Sequence, residues 1–252
     1  MKRIWCIGII FLFGSLTTPK IQSNAVERLS FAPVYPKHTE DIIYLTDLIF
    51  EEFDDSKPIP EKSMLQKALT GYFHLIEKGA ISAGRPLTII DFSIPSTNDR
   101  LWVIDMDKLE IRLQSLVAHG RNSGENMAKN FSNQHSSYMS SVGFYLTGET
   151  YEGNHGYSLR LDGLEKGFND QARSRAIVIH GADYVDQKFI STTGRLGRSL
   201  GCPALPMETH KDIINLIKEK SPLFIYAEVP GYLAHSPLLR PLEKEVRTLK
   251  LL

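Results

Sequence analysis

Glu110-Ile111-Arg112-Leu113-Gln114-Ser115-Leu116 alternates polar and apolar residues, so an extended chain there has one wet face and one that can be buried. The spacing predicts a strand over Glu110–Ala118. Working outward, Leu87–Phe92, Leu101–Met106, Val142–Leu146, Tyr157–Leu161, Ala176–His180 and Leu223–Val229 are further short runs rich in β-branched and aromatic residues. Turn formers separate them. Strands so closely spaced, with few helices between them, predict a mostly antiparallel β-sandwich and argue against a doubly wound parallel sheet. The expected class is mainly β with peripheral helices.

A helix is predicted ahead of the strands. Pro60 suits its first turn, Met64, Leu65, Ala68, Leu69, Tyr72, Phe73 and Ile76 recur at helical spacing, and Gly79 stands where a left-handed cap would end it. A second helix is expected over Met207–Lys218. Gly120–Tyr138 and Ala182–Leu200 read as long polar loops, which are uncommon unless they serve a site or hold ordered turns. The boundaries drawn are 1–25, a short helical N-terminal segment 26–84, a β domain 85–232 and an extension 233–252.

The 29 basic and 29 acidic residues cancel, so no overall field favours nucleic acid or an anionic membrane. At the N-terminus, Lys2 and Arg3 precede an apolar stretch from Ile4 to Leu16, and Ser23-Asn24-Ala25 offers small residues for cleavage before Val26. These are the parts of an export signal, and the stretch is short for a membrane span, which needs roughly 17–25 residues. The expected location is the periplasm or cell envelope.

After cleavage one cysteine remains, Cys202, in Gly197-Arg198-Ser199-Leu200-Gly201-Cys202-Pro203-Ala204. It cannot form a disulfide within its own chain. Upstream, Ile177-Val178-Ile179-His180-Gly181 is an apolar run ending in His-Gly, and the loop between is long enough to fold His180 against the thiol. A free thiol near pKa 8.5 is only a few per cent thiolate at neutral pH, so a nucleophilic cysteine needs a base such as His180. The bland reading is an inert, buried thiol. His119 either orders the loop Gly120–Tyr138 or lines a cleft, and His155 and His210 read as surface residues. No His-Glu-x-x-His or other metal spacing occurs, and no phosphate-cradling glycine motif, so neither a metal nor a cofactor is expected.

In its full frame, Ile179-His180-Gly181 followed by Ser199-Leu200-Gly201-Cys202 resembles the signature of L,D-transpeptidase catalytic domains of the YkuD type. The subfamily with Gly-Arg-Ser-x-Gly-Cys-Pro-Ala at the cysteine is most similar. Ile90-Asp91-Phe92-Ser93, Val117-Ala118-His119-Gly120, Phe131-Ser132-Asn133, Ser140-Ser141-Val142-Gly143 and Tyr157-Ser158-Leu159-Arg160-Leu161 continue the likeness in order over roughly 85–206.

The resemblance implies an L,D-transpeptidase-like β-sandwich and a cell-envelope enzyme acting on peptidoglycan stem peptides through a thioester. It assigns Cys202 as nucleophile, His180 as base and the Gly181 carbonyl as the group that fixes the tautomer. Gly201, which lacks a Cβ and so admits close approach, and Cys202 would offer their N–H groups as an oxyanion hole. Arg195, Arg198, Ser199 and His119 are the candidate substrate contacts. The family's frequent histidine is Leu200 here, and an arginine or asparagine often found two residues past the cysteine is Ala204. Arg195 and Arg198 would replace it, or make ordinary salt bridges. Water as acceptor would make the chain an L,D-carboxypeptidase, and loss of chemistry a catalytically inactive cell-wall-binding domain. The resemblance also implies acylation by carbapenems over penicillins.

Overall fold

The computed structural model describes residues 36, 38–52 and 59–242. The expected export signal, residues 1–25, lies outside them, as do residues 243–252 of the expected C-terminal extension. No helix among the described residues is long and apolar enough to cross a membrane.

Two helices come first. Helix α1 (Thr39–Phe50), which the sequence reading did not separate out, opens with a capping box in which the Asp41 carboxylate accepts from the His38 amide at 3.1 Å. Helix α2 (Lys62–Glu77) follows the periodicity read from the sequence and buries Met64, Leu65, Ala68, Leu69, Tyr72 and Leu75. Ile42 and Ile49 of α1 and the α2 stripe share one core with the strands.

Eight strands follow: β1 (Leu87–Asp91), β2 (Leu101–Asp105), β3 (Glu110–Ser115), β4 (Gly143–Gly153), β5 (Gly156–Gly163), β6 (Val178–Gly181), β7 (Ala204–Leu205) and β8 (Pro222–Tyr226). They form one sheet in the order β3-β2-β1-β8-β4-β5-β6-β7. Most pairings are antiparallel, as expected, but β1–β8 and β6–β7 are parallel. Strand β3 ends three residues earlier than its alternation suggested, because the chain leaves the β2 edge and crosses to the opposite one. There Ala118 donates to the Ala204 carbonyl at 2.8 Å and accepts from the Ala204 amide at 3.3 Å. This clasp nearly closes the sheet.

Three helices sit outside it. Helix α3 (Gln187–Thr193) occupies a stretch expected as loop. The Asp186 carboxylate accepts from Phe189 N–H at its start, and Gly194 ends it at φ 75°. Helix α4 (His210–Ile217) begins three residues later than expected and buries Ile213, Ile214 and Ile217. Helix α5 (Pro230–His235) is a single short segment that buries Tyr232. Tyr232 Oη donates to the buried Glu165 carboxylate at 2.9 Å, which also accepts from the Phe144 N–H of β4 and so ties α5 to the sheet.

Candidate active site

The parallel pairing of β6 with β7 sets the geometry. His180 lies opposite Ala204 and Gly181 opposite Leu205. Continued backwards, this register brings Cys202 beside Val178, whose N–H donates to Sγ at 3.4 Å. The thiol in turn points at the Ala176 carbonyl, 3.7 Å away. His180 stands one diagonal further along the pair, about 8 Å between Cα atoms by ordinary strand spacings. Among the described residues the partners of the resting thiol are these two backbone groups, and His180 is not one of them.

The His180 side chain is buried, and its Nδ1 lies 2.9 Å from the Gly181 carbonyl. A carbonyl only accepts, so the bond places the proton on Nδ1 and leaves the Nε2 lone pair as the basic site. Burial holds the imidazole below its ordinary pKa, the Gly181 bond opposes this, and His155 and His210 add to the lowering. His180 is therefore a neutral base at neutral pH. Burial pushes the Cys202 thiol up, while the Val178 amide and the Arg175 charge draw it back.

The turn that carries Cys202 is built from hydroxyls. Ser199 Oγ donates to the Cys202 carbonyl at 2.6 Å and accepts from Gly201 N–H at 3.1 Å. Gly201 has φ +129°, in the region that favours glycine. Ser140 Oγ donates to the Gly201 carbonyl at 3.2 Å and accepts from Gly120 N–H at 3.0 Å. Gly120 is pressed against this turn: a Cβ on it would stand 2.6 Å from the Tyr138 carbonyl and 2.9 Å from the Gly201 Cα. Leu200, at the tip, is 58% exposed.

The polar residues expected to meet substrate are placed differently from one another. Ser199 is buried in the turn just described. His119 is wholly buried; Arg100 donates to its Nδ1 at 2.8 Å, and its Nε2 lies 3.3 Å from the Gly124 carbonyl. Both nitrogens are in use, so His119 orders the loop after it. Burial and the Arg100 charge bring its pKa down to about 4. Arg100, itself buried and pulled down to about 9 mainly by desolvation, also donates to the carbonyls of Val117 and Ile94. Arg195 and Arg198 share one carboxylate, Glu125, at 2.9 and 2.6 Å. Each thus already shares its charge with Glu125.

Of the two histidines read as surface residues, His210 departs from that reading and His155 keeps it. His210 is buried at the start of α4, its Nδ1 2.9 Å from the Met207 carbonyl, because its ring packs against Gly181. His155 is exposed at the tip of the β4–β5 hairpin, but its ring lies on that of His180. The pairing of Ser158 with His180 in β5–β6 carries the hairpin tip over the base. Sequence reasoning also passed over Arg175, and it placed Ser140 in the family likeness without giving it a role. Neither has a local signal: Arg175 precedes an apolar strand like any solvated flank, and Ser140 lacks a nucleophile-elbow setting. Among the described residues no group of three or more His, Cys, Asp or Glu is arranged to hold a metal ion.

A model of the L,D-transpeptidase catalytic domain family matches residues 57–226, well over half of the sequence. The chain belongs to this family. The matched segment begins ahead of α2 and runs to the end of β8. A search of curated proteins finds no match.

Solved structures give distant likenesses. An L,D-transpeptidase from Mycobacterium smegmatis is 12% identical with a TM-score of 0.35, over 57% of this chain and 59% of that one. One from Mycobacterium tuberculosis H37Rv is 16% identical with a TM-score of 0.33, over 56% and 57%. One from Stackebrandtia nassauensis is 11% identical with a TM-score of 0.35, over 76% and 93%. The chain thus spans less than two thirds of the mycobacterial structures, and the family assignment rests on the matched domain alone.

Proposed function

We propose that the chain is an exported cysteine L,D-transpeptidase that acts on peptidoglycan stem peptides through a thioester. The observation that carries this reading is the His180–Gly181 bond on a strand in register with the Cys202 turn. It frees Nε2 of a neutral imidazole on the strand that also holds the thiol. In the first step the thiol proton passes to Nε2 and Sγ attacks the carbonyl of the third residue of a donor stem. The amides of Gly201 and Cys202 stabilise the oxyanion, which requires Gly201 N–H to exchange its bond to Ser199 Oγ. The bond to the fourth residue breaks, its nitrogen takes the proton from His180, and the thioester remains. An acceptor amine then attacks the thioester and frees the thiol.

The test is purified protein with tetrapeptide-bearing muropeptides, read by mass spectrometry. We expect 3→3 cross-links, or exchange of the terminal residue when a D-amino acid is supplied. Tripeptide release unmoved by added amine would make the chain a hydrolase. No product of either kind would end the enzymatic reading.

A further inference from the structure

Four arginines of this domain face a carboxylate. Arg173 is bonded to Glu149 and Asp162, Arg160 to Glu149, and Arg195 and Arg198 to Glu125. Arg175, like the buried Arg100, is bonded to none among the described residues. Its Nη1 donates to the Ser132 carbonyl at 2.8 Å and to Ser141 Oγ at 2.5 Å. Its Nη2 donates to Ser137 Oγ at 3.2 Å and to the Met139 carbonyl at 2.7 Å. Four N–H groups are used and every acceptor is neutral. Burial disfavours the guanidinium charge here, as it does for any cation taken from water without a counter-ion.

The fork lies against the nucleophile turn. A Cβ on Gly201 would stand 3.4 Å from Arg175 Nη2, in ordinary contact, and 2.9 Å from the Met139 carbonyl that Nη2 bonds, so the residue before Cys202 packs directly on the fork. The segment Arg175–Val178 then wraps the sulfur: Ala176, at φ 55°, presents its carbonyl and Val178 its N–H. The titratable groups around the pair are few. Tyr145 of β4 faces the guanidinium and Tyr184, after β6, faces the thiol. Burial keeps both phenols protonated, Tyr184 being pushed up to about 12. His180 on β6 is neutral. Among the described residues around the pair, the group near Arg175 that becomes anionic when it gives up a proton to His180 is the sulfur of Cys202.

We propose that Arg175 is the counter-ion of the Cys202 thiolate, a positioning residue whose fixed charge stabilises the nucleophile after its proton has gone to His180. The charge is held by neutral ligands, so it is not already cancelled when the thiolate forms. The guanidinium does not touch the acyl donor. The proposal rests on Cys202 being the reactive thiol, and not on which acyl donor it meets.

The experiment is the pH dependence of iodoacetamide alkylation at Cys202, followed by intact mass, in wild type, Arg175→Gln and Arg175→Lys, each checked for folding by circular dichroism. Alkylation needs no stem peptide, so a failure of transpeptidation would leave this test intact. We expect Arg175→Gln to raise the thiol pKa by about one unit, about tenfold less thiolate at a given pH. Arg175→Lys, which keeps the charge but forfeits the fork, should recover most of it. An unmoved thiol pKa in folded Arg175→Gln would overturn the proposal. So would an Arg175→Lys variant shifted as far as Arg175→Gln, since the arginine would then only brace the 132–141 loop. If Arg175→Gln does not fold, Arg175→Lys decides: a thiol pKa within half a unit of wild type supports the counter-ion, and a full-unit rise overturns it.

Discussion

The imidazole of His155 lies on that of His180, with ring centroids 4.3 Å apart and planes 21° from parallel. An exposed hairpin tip thereby covers one face of the His180 ring and adds to the lowering of its pKa. We expect His155→Ala to let water reach His180 and to raise its pKa toward the ordinary value. The acid limb of any His180-dependent rate then moves to higher pH. Proton NMR titration of the His180 ring in both proteins checks this, and coincident curves would remove His155 from the site.

Carbapenem acylation reads the Cys202–His180 pair directly. The adduct should sit on Cys202 in an intact-mass spectrum and be lost in Cys202→Ser, whose alcohol has a far higher pKa than a thiol. His180→Ala should slow acylation by roughly 10²–10⁴-fold, the usual scale for losing a general base. An adduct elsewhere, or one formed equally fast without His180, would break the pair.

The contact beneath the nucleophile turn should be intolerant of added atoms. Gly120→Ala places a methyl 2.6 Å from one backbone oxygen and 2.9 Å from the Gly201 Cα, neither the end of a flexible side chain. We expect a loss of about 1–3 kcal/mol from overpacking. Ser140→Ala leaves Gly120 N–H and the Gly201 carbonyl without their buried partner and should cost about 1–3 kcal/mol as well. Thermal melts measure both, at roughly 2–4 °C per kcal/mol for a chain of this size. A melt unmoved in both variants would show that the turn does not rest on this contact.

Stability should fall in mild acid through His119. Its folded pKa of about 4 lies below the ordinary 6.5, so between those values the unfolded chain binds the extra proton. The contribution is fully present above pH 6.5 and is lost as pH falls to about 4, an effect on the order of 3 kcal/mol. Asp91 and Glu165, raised by burial, act in the opposite sense, so the informative quantity is the difference between wild type and His119→Gln. Urea unfolding at pH 7, 5.5 and 4.5 should show that gap closing as pH falls. A gap independent of pH would mean that His119 is not held neutral.

What could be read from the sequence is what local pattern encodes. The stripe of α2, the apolar runs of β1, β2 and β8 and the His-Gly and Ser-x-Gly-Cys steps each sit within a few residues of their own signal. Strand β7 has only two residues, too few for any periodicity, and its parallel pairing fixes where Cys202 lies against β6. The parts that Arg175, Ser140 and His155 play at the site arrive through register and hairpin length, which no local pattern carries. The burial of His119 escaped for a related reason: its partner Arg100 is an arginine wholly inside the core, which no hydrophobic pattern announces.

The clasp between Ala118 and Ala204 also bears on when the chain acquires its chemistry. It joins segments far apart in sequence, and β7 has little else to hold it beyond the short parallel pairing with β6. Such non-local pairings form late, after more local hairpins like β4–β5 have collapsed. Until β7 has paired with β6 and the clasp has closed, Cys202 lacks the Val178 amide and the bracing of its turn by Gly120 and Ser140, and should react as an ordinary thiol. Refolding followed by alkylation at Cys202 would thus time the final closure of the sheet, making the nucleophile a built-in clock for its own assembly.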